Sequence, residues 1–190
     1  GVLFAVFGQI YQTGANAYDF FLAWTIFSFI WVLVARFIPL WILYIALLNV
    51  TLYFYFDQIK PDLRDVSIIN YFYALNFIAL IVNCGVWFYK KQMPNKIITY
   101  LLSIVCICIS TIYIGICIFN SEIKFIDSIF LLIHFTGLAC IILLGLKFKQ
   151  AFYVSIVGLA FIVILSMLTI KIFDNDLVFF PLMLLIIGST

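Results

Sequence analysis

The chain is 190 residues long, 67% hydrophobic and 9% charged, with a net charge of +2. An average soluble domain carries about 25% charged residues, so this chain cannot cover a water-facing surface and belongs with the polytopic membrane proteins. The small positive charge, scattered through short loops, excludes nucleic acid as a partner.

In chain order, Gly1–Phe7 reads as the last two turns of a helix cut from a longer protein. The polar stretch that follows, Gly8-Gln9-Ile10-Tyr11-Gln12-Thr13-Gly14-Ala15, carries no charge. Asn16–Ala35 is long enough to cross a bilayer, which needs about 20 apolar residues. Asn16 can cap this span, and Asp19 in its first turn suits the positive end of the helix dipole. After the turn at Arg36-Phe37-Ile38, Pro39 opens a second span to Phe56, at a position where its missing N–H costs nothing. Asp57–Val66 is the most charged loop. Further spans are expected over Ser67–Tyr89, Ile97–Phe119, Phe125–Leu146 and Ala151–Phe173, and a seventh run starts near Leu177. The fold expected is all-α, a polytopic transmembrane helix bundle with six complete spans plus a truncated helix at each end. Residues 1–190 are expected to form one transmembrane domain, a fragment of a longer chain.

The loops sort by charge. If alternate loops face opposite sides, one side holds Arg36, Lys90, Lys91, Lys96, Lys147 and Lys149 and no acid. The other holds four basic residues and all eight acidic ones. No formal charge is then left inside a span. The positive-inside tendency makes the Arg36, Lys90 and Lys147 turns cytoplasmic. The near-regular spacing of those turns needs no internal duplication, because two spans and two loops give the same period.

Three segments together, Gly8–Ala15, Phe21-Leu22-Ala23-Trp24 and Ala35-Arg36-Phe37-Ile38-Pro39-Leu40-Trp41, resemble a family of bacterial integral membrane proteins known only as a domain of unknown function. The similarity covers roughly the first sixty residues. It implies a multi-pass protein of the bacterial inner (plasma) membrane with further helices before Gly1. It carries no catalytic residues across.

Two sets of residues are candidates for function. The first is the Gly8–Asp19 stretch. Gln9, Gln12, Thr13 and Asn16 offer donors and acceptors, Tyr11 offers an aromatic face with a polar tip, and Asp19 is the nearby charge. A ligand- or partner-binding loop is one reading. The other is a connector whose side chains satisfy its own backbone near the interface. The second set lies at mid-depth: Asn49, then Asn76 and Asn83 seven residues apart on one helix face with Tyr73 and Leu80, then His134. Polar side chains in a bilayer face the bundle interior and bond across helices. An ionisable residue there is a functional hypothesis by default, but a lone neutral His with no intramembrane carboxylate reads more readily as interhelical glue.

No metal or cofactor is expected, since no second His or intramembrane carboxylate completes a ligand set. The five cysteines lie in apolar runs without a C-x-x-C pair and read as small apolar residues. Hydrolase, metalloprotease and phosphate-loop patterns are missing. Thr111-x-x-x-Gly115 and Ala151-x-x-x-Ser155 have the spacing that suits close helix packing. The reading is an integral membrane protein acting as a non-enzymatic structural or interaction module of the cell envelope. Its partners are the lipid bilayer and a second membrane protein or another copy of the chain. The alternative is a transporter or channel for a small polar or lipid-like solute.

Overall fold

A computed structural model describes residues 16–35, 37–61, 65–90, 96–120 and 125–172, excluding the side chains of 65 and 86–90. All regular structure among these residues is α-helix: α1 Ala17–Ala35, α2 Ile38–Gln58, α3 Asp65–Lys90, α4 Lys96–Phe119, α5 Phe125–Phe148 and α6 Ala151–Ile172. All six elements are long and apolar enough to cross a membrane. The truncated helices expected at Gly1–Phe7 and from Leu177 lie outside the described residues.

The helices overrun the expected spans where polar residues take over. α2 continues through Asp57 to Gln58, and α3 begins at Asp65, so the two ends of the expected Asp57–Val66 loop are helical. Backbone hydrogen bonding does not stop where hydrocarbon stops. Asp19 and Asp127 sit in the first turns of α1 and α5, and Lys147 and Lys171 in the last turns of α5 and α6. These charges occupy helix ends rather than loops, each with the sign that complements the dipole.

The chain divides into two compact units, Gly1–Asn76 and Phe77–Thr190, with the boundary inside α3. In the first unit α1 and α2 form an antiparallel hairpin. The β/extended conformation of Phe37 and the proline in the first turn start α2 immediately after α1. The Phe21 and Phe54 rings stack at 4.9 Å and 13°, a pairing that adds about 0.5–1.5 kcal/mol to its area burial. Of the hairpin, α1 is the more exposed helix: it buries only Thr25 and Val32, and Trp31 is 69% exposed. In a bilayer that surface meets lipid.

The second unit is built around α4, which buries eleven of its 24 residues, and α5 and α6 pack on it and on each other. The buried face of α6 is Tyr153, Val157, Ala160 and Ile164. Ala151 and Ser155 are both exposed, so that small-residue pair does not pack between the described helices. Gly115 does make a close approach, since a methyl there would fall 2.8 Å from Met167 Sδ, while Thr111 turns its hydroxyl back to Ile107 O at 2.8 Å. The α5–α6 turn is closed by two backbone bonds, Gln150 N–H to Gly145 O at 3.0 Å and Lys149 N–H to Leu146 O at 3.3 Å. That is the Schellman pattern, and Lys149 takes its left-handed position at φ 53°.

Candidate functional site

Of the loop candidates, Gln9, Tyr11, Gln12 and Thr13 lie outside the described residues. Asn16 and Asp19 are both exposed at the start of α1. The Asn16 carbonyl accepts from the N–H groups of Asp19 at 3.1 Å and Phe20 at 3.4 Å. The Tyr18 N–H, one of the donors that a helix start leaves without an intrahelical acceptor, is taken by Gln58 Oε1 at 3.0 Å. With the Tyr18–Tyr55 ring contact at 5.6 Å, this ties the beginning of α1 to the end of α2. Sequence reading assigned the capping role to Asn16 and did not foresee Gln58, which is adjacent only in three dimensions.

The mid-depth residues pair across helices. Asn49 on α2 and Asn76 on α3 bond reciprocally: Asn76 Nδ2 donates to Asn49 Oδ1 at 2.8 Å, and Asn49 Nδ2 donates to Asn76 Oδ1 at 3.2 Å. Each amide also donates to a carbonyl one turn back in its own helix, Asn49 to Ile45 O and Asn76 to Phe72 O. An amide has two donors and one acceptor oxygen, so this arrangement uses the side chains almost completely. In the second unit Asn83 Nδ2 donates to Thr99 Oγ1 on α4 at 2.8 Å. Tyr73, Asn76 and Leu80 are buried, as the shared helix face requires.

His134, on α5, is fully buried. Its Nδ1 lies 3.0 Å from Ser110 Oγ on α4, and its ring stacks on Tyr113 at 4.5 Å and 23°. The Tyr113 hydroxyl reaches Asp127 O at 3.4 Å. The Ser110 hydroxyl and the Tyr113 ring, both from α4, help to hold the imidazole. Thr136, two residues further along α5, is exposed and satisfies its hydroxyl on Ile133 O. Within the first unit Asn49 pairs with Asn76, and within the second Asn83 pairs with Thr99 and His134 with Ser110. Among the described residues no group of three His, Cys, Asp or Glu is placed to hold a metal ion.

Two arrangements were missed in the sequence. Thr25 and Thr51 join α1 to α2 through their hydroxyls at 2.8 Å, with Thr51 also 2.8 Å from Leu47 O and Thr25 2.8 Å from Phe21 O. Tyr100 on α4 donates to Gln150 Oε1 at 2.8 Å and packs on Phe152 at 4.5 Å, fastening the α5–α6 turn to α4. The second had a sequence signal, a tyrosine near a span end and a glutamine in a turn on the same expected side.

Comparison with family models, with curated proteins and with solved structures gives no match. A functional reading of this chain therefore starts from the hydrogen-bonded pairs themselves.

Proposed function

We propose that the chain is a non-enzymatic structural or interaction module of the bacterial inner (plasma) membrane. Its polar interior joins helices, and its apolar surface meets lipid and a membrane-protein partner or a second copy of the chain. The observation that carries this reading is the reciprocal Asn49–Asn76 pair. Both amides are spent on each other and on their own helices, which leaves little hydrogen-bonding capacity there for a solute. Interhelical bonds of this kind contribute about 0.6–2 kcal/mol each. The resemblance of the first sixty residues to a bacterial membrane family supports the compartment. The charge sorting supports cytoplasmic turns at Arg36, Lys90 and Lys147. The Gly8–Asp19 stretch then lies on the opposite side, and Gln9, Tyr11, Gln12, Thr13, Asn16 and Asp19 are the residues through which it would meet a ligand or partner.

Purified protein in vesicles tests the module against the transporter. Vesicles challenged osmotically with glycerol, urea or neutral amino acids should shrink and re-swell no faster than protein-free vesicles. Saturable re-swelling with one of these solutes would replace the module by a transporter. Orientation is tested by single cysteines in a cysteine-free background: Asn95→Cys should resist an impermeant thiol reagent in intact cells and Asp62→Cys should react. The reverse pattern would invert the topology.

A further inference from the structure

At one end of the second unit the start of α4, the end of α5 and the start of α6 come together. Tyr100, just over one turn into α4, donates to Gln150 Oε1 at 2.8 Å and packs on Phe152 at 4.5 Å. Lys96 lies four residues before Tyr100 on the same helix, so the two share a face, and that face meets the α5–α6 turn. The turn itself carries Lys147 and Lys149. All three lysines are exposed. The one acid among the described residues of this unit is Asp127, in the first turn of α5, at the far end of that helix from Lys147. The lysine end is therefore purely basic among the described residues.

The turn is held in one shape by its two backbone bonds and by the Tyr100 hydroxyl. Gln150 accepts that hydroxyl at Oε1, and its amide nitrogen, which carries two donors, has no partner among the described residues. Lys149 keeps φ 53° at a position where glycine is the unstrained residue. A backbone outlier of this kind points to a use for the side chain that it presents. Ammonium and amide donors on a fixed support suit a phosphate, whose oxygens only accept. Ile97, Leu143, Leu146 and Phe152, around and below the turn, are all exposed and apolar. Donors at the rim of an apolar surface match a molecule with an anionic head and hydrocarbon chains better than a free phosphate ion. Lysines at a span end also serve membrane orientation, but that role requires neither a fixed turn nor Gln150.

We propose that Lys96, Lys147, Lys149 and Gln150 bind the phosphate of an anionic phospholipid, whose acyl chains lie against Ile97, Leu143 and Leu146. The three ammonium groups meet the headgroup charge, and the Gln150 amide adds a directed hydrogen bond. A zwitterionic lipid carries its own cation beside the phosphate and gains less from the lysines. The proposal goes beyond the module reading, which concerns what joins the helices to one another, and it holds equally for a transporter.

Native mass spectrometry of the purified protein tests the site, with release from nonionic micelles that hold equal amounts of phosphatidylglycerol and phosphatidylcholine with identical chains. Wild-type protein should retain phosphatidylglycerol with a preference of at least about tenfold. Lys149→Gly, which relieves the left-handed turn while removing the ammonium, and Lys147→Gln should each lower that preference at least about threefold. Gln150→Leu, which changes no charge, should lower it as well. Lys171→Gln, in the last turn of α6 at the opposite end, should leave it unchanged. Inorganic phosphate in large molar excess should not displace the bound lipid. Circular dichroism in the same micelles establishes that each variant is folded, and Lys149→Gly removes a strain rather than a packing contact, so its loss of lipid is not a loss of fold. Equal retention of the two lipids, an unchanged preference in Lys149→Gly or Gln150→Leu, an equal loss in Lys171→Gln, or displacement by phosphate would each overturn the proposal. The solute re-swelling experiment reads a different property and is unaffected by any of these results.

Discussion

Gly115 and Gly145 both lie where a helix meets α6, yet they differ in what surrounds them. A methyl on Gly115 would fall 2.8 Å from the sulfur of Met167, part of a flexible side chain that can swing aside. A methyl on Gly145 would fall 2.9 Å from Tyr153 Cβ and 3.4 Å from Gln150 O, atoms fixed by the backbone of the turn. Gly115→Ala should therefore change stability by less than about 1 kcal/mol, with better helix propensity offsetting a small shift. Gly145→Ala should cost about 1–3 kcal/mol by overpacking. Unfolding of the two variants in mixed micelles checks the contrast, and equal losses would contradict it. Neither environment was legible in the sequence, where both glycines look alike, because the identity of the opposing atom depends on how α4 and α5 register with α6. Lys149 is a related case. Its left-handed backbone costs a non-glycine residue about 1–2 kcal/mol, partly offset by the flexibility that glycine brings to the unfolded chain. Lys149→Gly should raise stability by up to about 1 kcal/mol in the same unfolding experiment, and a loss would mean that the side chain contributes more than its backbone strain costs.

At the scale of elements, the hairpin of α1 and α2 and the bundle around α4 use their polar residues differently. Thr25 and Thr51 meet each other, but each also has a carbonyl of its own helix within reach. Removing one hydroxyl leaves the other satisfied. Thr51→Val, nearly the same shape, should cost no more than about 0.6 kcal/mol, the average for an interhelical bond in a bilayer. A loss above about 2 kcal/mol would mean that the hydroxyl pair is the principal lock of the hairpin. The buried α4 face of Thr99, Ser103, Cys106, Ser110, Tyr113 and Cys117 was available in the sequence as an alternation of four and three residues. It was obscured because threonine, serine, cysteine and tyrosine are each common in apolar spans and none is charged. Ala151 and Ser155 stay outside the packing of the described helices for a comparable reason. Spacing places two small residues on one face of α6, but the face that packs is set by the larger Tyr153, Val157 and Ile164.

At the scale of the molecule, the six spans were legible because each is about 20 or more residues of nearly uninterrupted apolar sequence, and that signal needs no partner. The helix ends were less so. Asp57 and Asp65 mark where water begins, whereas the backbone goes on hydrogen bonding into the interface. The mid-depth residues were legible as a class, since lipid offers Asn49, Asn76, Asn83 and His134 no hydrogen bonds. Their partners were not, because Thr99 and Ser110 are unremarkable until helices are placed side by side. The account as a whole depends on those polar groups being spent between helices. The most direct measurement is a double-mutant cycle on the reciprocal amides, with Asn49→Leu, Asn76→Leu and the double variant unfolded reversibly in a bilayer-like micelle. Each single variant should lose about 1–2 kcal/mol by leaving the opposing amide oxygen without its donor. The double variant should lose less than the sum, with a coupling of about 0.6–2 kcal/mol. Losses that add to within about 0.3 kcal/mol would contradict the account.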